Sequence, residues 1–235
     1  CYSSIYRVLS NDINSLSAKA DFKKVENYFD NKYVNRNLSP NSFVKKEVFN
    51  LVYGKRKKLN LFNIKKNKKK TVIALNSFSD SPHYSGKLIF RDYFDWYQKT
   101  IQYINHLKDD DTHWLIKLHP AQTLEGKLGY NELNSVMSVI NDHKQTNIKV
   151  LEDGINNQDL FKEANNLITA VSTIGLEYAA FGKKPILCGE GNYSSLGFSY
   201  NMTNKKKYYS ILKNLPKDNR LSNKQINDAK RAIYY

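Results

Sequence analysis

Lys117 and His119 stand one residue apart in KLHPAQ, ahead of Pro120. Alternate residues of an extended strand share a face, so the ammonium and the imidazole point the same way. A cation and an imidazole converging at a strand end suit a phosphate or diphosphate. Ser172 and Thr173 follow an apolar run and open a segment of helical composition. Free backbone N–H groups and two hydroxyls meet there, and such a helix start attracts anions. Glu177 comes four residues after Thr173, on the same helix face. A carboxylate only accepts hydrogen bonds, which suits a vicinal diol. Asp80 and His83 lie three apart in SFSDSPHYSG and could serve as acid, base or sugar anchor. Each set also has a plainer role. Ser172 or Thr173 could cap a helix, with Glu177 complementing its dipole. His119 could be a structural histidine before a proline, and Asp80 and His83 could belong to a turn.

The elements that must position these residues are legible as apolar runs. Residues 71–76, 113–118, 148–151, 167–171 and 185–188 read as short buried strands. Between them, residues 88–107 predict a long helix with Phe90, Tyr93, Phe94, Tyr97, Ile101 and Ile104 on its apolar face. Residues 128–143 predict another, with Leu133, Val136, Met137 and Ile140 inward. Shorter helices are expected over 158–164, 173–181, 205–215 and 222–235, the one over 173–181 closing at Gly182 in the left-handed conformation. Residues 189–201 read as a Gly/Ser/Tyr loop. Strands alternating with helices predict an α/β fold, a Rossmann-like doubly wound parallel sheet. Ligands of such sheets bind beyond the carboxyl ends of the strands, at the switch point. No G-x-G-x-x-G follows the first strand and no G-x-x-x-x-G-K-[ST] occurs, which weakens dinucleotide and P-loop readings.

The 235 residues divide into a helical remnant of a preceding domain (1–54), a basic linker (55–70) and the Rossmann-like unit (71–235). The chain opens at Cys1 rather than Met and closes on RAIYY without a helix stop signal, so truncation is expected at both ends. Nine basic residues and no acid in 55–70 supply much of the +15 net charge. Such a segment suits nucleic acid, acidic glycans or an anionic membrane face, or is a solvated linker. Cys1 and Cys188 imply no disulfide framework, and a reducing compartment fits. No apolar run approaches the ~18 residues of a membrane span. His106, His113 and His143 are scattered, so no metal site is expected, and no cofactor is expected besides the substrate itself.

KLHPAQ followed by STIGLEYAAFGKKPIL resembles bacterial capsule polysaccharide biosynthesis proteins. SFSDSPHYSGKLIFRDYFDWYQKT and GNYSSLGFSY resemble the same family's first loop and helix and its segment after the last strand. The similarity covers residues 71–215. It implies the C-terminal, donor-binding half of a glycosyltransferase of the two-domain GT-B type. By that resemblance Lys117, His119, Ser172 and Thr173 would hold the phosphate of a nucleotide-sugar and Glu177 its ribose, without metal. The acceptor would be a growing glycan or glycolipid, met in the cytoplasm, peripherally at the inner membrane face, through residues 55–70. No specific nucleic acid is expected. Some relatives draw their catalytic base from an acidic pair and glycine preceding the His-Pro motif. Here Glu152, Asp153 and Gly154 follow it, so that role does not carry over. Asp80 and His83 remain as catalytic candidates, or the base lies in a preceding half. Two other readings stand: a CDP-glycerol-type polyol-phosphate transferase, and a non-catalytic module binding glycan or nucleic acid.

Overall fold

The computed structural model describes residues 21–35, 68–83, 86–120, 122, 132–142, 147–152 and 155–234. Six strands form one sheet: β1 (Lys69–Ala74), β2 (Thr112–Lys117), β3 (Ile148–Val150), β4 (Asn166–Thr169), β5 (Ile186–Leu187) and β6 (Tyr200–Asn201). Their order is β3-β2-β1-β4-β5-β6, and every pairing is parallel. The five apolar runs are strands, as their composition requires. The order turns back between β1 and β4, which makes the carboxyl edge of that pair the switch point.

Both faces of the sheet are covered, so the central strands carry apolar residues on each side. Ile73, Trp114, Ile116 and Ile168 face one core with Trp96, Tyr97 and Ile101. Val72, Leu115 and Leu167 face the other with Leu160, Phe161 and Tyr178. The helices are α1 (Phe22–Phe29), α2 (Tyr93–Leu107), α3 (Glu132–Asn141), α4 (Asn157–Glu163), α5 (Thr173–Ala180), α6 (Lys205–Lys213) and α7 (Asn223–Tyr234). A π-helical turn, Asp30–Asn35, continues α1. Gly182 sits at φ 90° just past α5, the conformation expected of it.

Four expectations are corrected. The loop 189–201 ends in β6, held by Tyr200 N–H to Pro185 O (2.8 Å) and Met202 N–H to Leu187 O (2.9 Å). Helix α2 begins at Tyr93, not at 88, because Leu88 bridges Gly189 in antiparallel fashion and Asp92 caps the helix by accepting from Asp95 N–H at 2.7 Å. Trp96 belongs to its buried face, where the indole N–H donates to the Tyr208 hydroxyl at 2.9 Å. Helix α3 buries Glu132, Val136 and Val139, and leaves Leu133 and Met137 38% and 36% exposed.

Lys69 and Lys70 of the basic segment are strand residues; residues 55–67 and Cys1 lie outside the described residues. Residues of α1 and its π-helical continuation are packed beside the sheet: Val25, Phe29 and Tyr33 share a core with Ala179 and Ala180 of α5, Tyr193, and Ala229 of α7. Among the described residues no helix is long and apolar enough to cross a membrane.

Candidate functional site

Register places the candidate residues. Ala74, the last residue of β1, pairs with Lys117 on one side and Thr169 on the other. Two strand spacings, ~10 Å, separate these neighbours. Beyond them the chain runs into His119 and into Ser172. Lys117 and His119 thus stand at the carboxyl edge on one side of the switch point, and Ser172 and Thr173 on the other.

Two buried amides hold these sides together. The Gln122 side chain accepts the His119 backbone N–H (2.8 Å) and donates to Asn76 O (3.2 Å). Thr169 Oγ1 reaches Asn76 Oδ1 at 3.5 Å from β4. Asn76, at the exit of β1, is therefore joined to both the His-Pro turn and the strand that delivers Ser172.

His119 is half-buried, and burial is the main cause that pulls its imidazole below the ordinary value. Asp80 opposes this, Lys117 adds to it, and Glu132 opposes it. The ring is neutral at pH 7 and can donate one N–H. An arriving phosphate would act as Asp80 does and favour the imidazolium. Asp80 is exposed and close enough to His119 to act on its charge. His83 is exposed too, but its ring is tied to its own loop. Nδ1 accepts the Leu88 N–H (3.3 Å), so Nε2 carries the hydrogen and donates to Arg91 O (3.1 Å).

Glu132 was not legible as a site residue, yet it shapes the loop after β1. Its carboxylate accepts the N–H groups of Phe78 and Ser79, each at 2.8 Å, and the Ser77 hydroxyl at 3.0 Å. Burial alone would raise its pKa, but these bonds outweigh it and the carboxyl sits below its ordinary value. Its contribution to stability is therefore present above the unfolded value of 4.5 and is lost as pH falls through the folded one. Glu132→Gln, which turns an amide N–H toward backbone donors, should cost about 1–3 kcal/mol at pH 7. Thermal melts of both chains should converge in acid; a gap that stays constant down to pH 3 would show that the carboxylate is not the group responsible.

On the other side, Ser172 caps α5 by position, but its hydroxyl makes no cap hydrogen bond. Its carbonyl instead accepts the Tyr193 hydroxyl (2.6 Å) and the Gly175 N–H (3.0 Å). Ser172 is half-buried and Thr173 exposed, at the positive end of the helix. Gly175 explains how α5 comes so close to the sheet. A Cβ there would lie 2.4 Å from the Tyr193 hydroxyl, 3.2 Å from Thr169 Cγ2 and 3.3 Å from Leu187 Cδ2.

Glu177 does not open to the edge in this chain. It is 2% exposed and is reached by three donors from the α1 segment: the Tyr28 hydroxyl (2.9 Å), the Lys32 ammonium and the Tyr33 hydroxyl. Burial pushes its pKa up, while Lys32 and then the tyrosines pull it further down, leaving it below the ordinary value. Burial and the neighbouring carboxylate push the Tyr28 phenol up to about 12. Nothing in the spacing of Glu177 pointed to partners some 145 residues earlier. Among the described residues, no three His, Cys, Asp or Glu side chains group as a metal cage requires.

The family described as capsule polysaccharide biosynthesis protein matches residues 22–233. No curated protein matches the chain. Among solved structures, the chain is similar to the beta Kdo 2,4 transferase of Thermosulfurimonas dismutans KpsC, at 14% identity and a TM-score of 0.48 over 86% of this chain and 61% of that one. It is also similar to the beta Kdo 2,7 transferase of the same organism's KpsC, at 13% identity and a TM-score of 0.38 over 92% of this chain and 57% of that one. The chain thus spans about three-fifths of the length of these structures.

Proposed function

Because this chain belongs to the capsule polysaccharide biosynthesis protein family, we propose that it binds a nucleotide-sugar and transfers the sugar to a growing capsular or surface polysaccharide. One observation carries the reading. A cation and an imidazole stand on one side of β1, and a helix start whose Ser172 hydroxyl makes no cap hydrogen bond stands on the other, at the carboxyl edge where Ala74 pairs with both Lys117 and Thr169.

In the proposed reaction, the bond between the sugar's anomeric carbon and the phosphate oxygen breaks. Its electron pair leaves on the nucleotide phosphate. Lys117, His119 and the N-terminus of α5 stabilise that developing charge. The acceptor hydroxyl oxygen bonds to the anomeric carbon and gives its proton to Asp80. His83 shapes the loop that presents Asp80, since both its ring nitrogens are engaged there. Glu177, covered in the free chain by the α1 segment, accepts from the donor's ribose once that cover is partly released. Residues 55–70 hold the chain at an anionic membrane face on the cytoplasmic side, where a glycolipid acceptor is presented.

His119→Ala tests the phosphate site. Binding of CMP or UDP and of their sugars should weaken by about 1.5–3 kcal/mol, the range for a hydrogen bond to a charged group. The melting temperature should hardly change, and His119→Asn should recover part of the affinity. Calorimetric titration beside a thermal melt separates the outcomes. Unchanged affinity with a lowered melt would make His119 structural and remove it from the site. A chain that binds CDP-glycerol in preference to nucleotide-sugars would be a polyol-phosphate transferase. Binding of polyanions alone, with a steep salt dependence, would leave only a binding module.

A further inference from the structure

The Glu177 carboxylate has few acceptor positions left. A carboxylate offers about four lone-pair sites. Oε1 takes the Tyr28 hydroxyl and the Lys32 ammonium, and Oε2 takes the Tyr33 hydroxyl. One site remains, whereas a vicinal diol donates two hydrogens. Both hydroxyls of a nucleotide diol can therefore donate here only if one of the three donors lets go. Reach is not the obstacle. The rise from Thr173 to Glu177 is about 6 Å along the helix, comparable to the distance from a nucleotide's phosphate to its ribose hydroxyls.

The three donors differ in what holds them. Lys32 supplies the charge that permits a buried carboxylate, and its loss would leave that charge unpaired. Tyr33 is 3% exposed, and its hydroxyl and carbonyl also accept from Asn157 Nδ2 (2.9 Å) and Asn156 Nδ2 (3.0 Å). Tyr28 is neutral and half-buried, and its hydroxyl is otherwise shared with Lys32 at 3.0 Å. Resting on the reading of Glu177 as a ribose acceptor, we infer that the Tyr28 hydroxyl is a placeholder for a ribose hydroxyl and is displaced from Glu177 when a ribonucleotide binds. Tyr33 and Lys32 stay in place. Displacement removes one tie between α1 and α5, so nucleotide binding loosens α1 at Tyr28 while Val25 and Phe29 keep the helix docked.

Tyr28→Phe removes the competing hydroxyl and keeps the ring. Against CMP or UDP, whichever binds the unaltered chain, the variant should bind about three- to tenfold more tightly, the worth of one competing hydrogen bond. The 2′,3′-dideoxy form of that nucleotide should bind both chains equally. Hydrogen exchange gives a second readout on the unaltered chain: amides of residues 22–29 should exchange faster with the ribonucleotide than with the dideoxy form. Equal or weaker ribonucleotide binding by the variant overturns the placeholder role. Equal tightening toward the dideoxy form, or greater protection of 22–29, also overturns it. If neither CMP nor UDP binds the unaltered chain, the donor-site reading fails and the placeholder falls with it.

Discussion

Lys32→Met should destabilise the chain by about 3–5 kcal/mol at neutral pH, the range for breaking a buried ion pair from one side. Methionine keeps the unbranched stem between the Tyr28 and Tyr33 rings but removes the ammonium that lies 5.3 and 5.4 Å from their centres. Glu177 would then be a buried carboxylate with neutral donors alone. The pH dependence gives the sign. In the unaltered chain the folded value of Glu177 lies below 4.5, so its pairing contributes above that pH and is lost as pH falls through the folded value. In the variant, burial dominates and the folded value rises above the unfolded one, so the variant gains stability as the carboxyl protonates. Urea melts at pH 7 and pH 4.5 should therefore show a gap that narrows in acid. Lys32→Met with Glu177→Gln should recover more than half of the loss, because an amide needs no counter-charge. A gap that ignores both pH and the second substitution would mean that Lys32 matters only as packing.

Gly175→Val should cost at least about 3 kcal/mol, the upper part of the range for overfilling a packed interior. The new carbons enter the space between Tyr193, Thr169 and Leu187. Tyr193 cannot turn aside freely: it is buried, its ring stacks on Phe198 at 6.1 Å, and its hydroxyl holds the Ser172 carbonyl. Gly175→Ala should cost less, about 1–3 kcal/mol, since alanine regains nearly 1 kcal/mol of helix propensity. Adding Tyr193→Phe to Gly175→Ala removes the 2.4 Å contact and leaves those at 3.2 and 3.3 Å, so the pair should lose less than the two single changes together. The single variants should also bind nucleotide less well, because the first turn of α5 shifts with Ser172. An alanine variant that melts like the unaltered chain would show that α5 has room to withdraw.

The sheet and the edge of the candidate site were legible because buried parallel strands are continuous apolar runs, and because the turns after them follow directly. His119 and Ser172 were placed on one edge by strand assignment alone. The face of α3 is as expected at Val136 and Ile140 but differs at Leu133 and Met137, for a physical reason. An apolar stripe alone does not define this face, because the side chain turned inward at its start is Glu132, whose partners are backbone N–H groups more than fifty residues away. Leu133 and Met137 then fall outward. The start of α2 differs because Phe90 fits a helical period while lying in the bend between the Leu88–Gly189 bridge and the helix cap at Asp92. Strand β6 is too short to show a period. The environment of Glu177 depends on tertiary contact with Tyr28, Lys32 and Tyr33, and neither local composition nor spacing encodes such a contact.

The two borders of the sheet have a bearing on self-association. Among the described residues, strands β3 and β6 form those borders and are three and two residues long. At ~3.3 Å per residue they present ladders of roughly 10 and 7 Å. A foreign strand could form only a few rungs there, too few to offset ~1–2 kcal/mol of lost backbone freedom for each residue it would order. Short borders of this kind protect a sheet against templated aggregation. Among the described residues, extension of this sheet by an added strand is thus disfavoured at both borders.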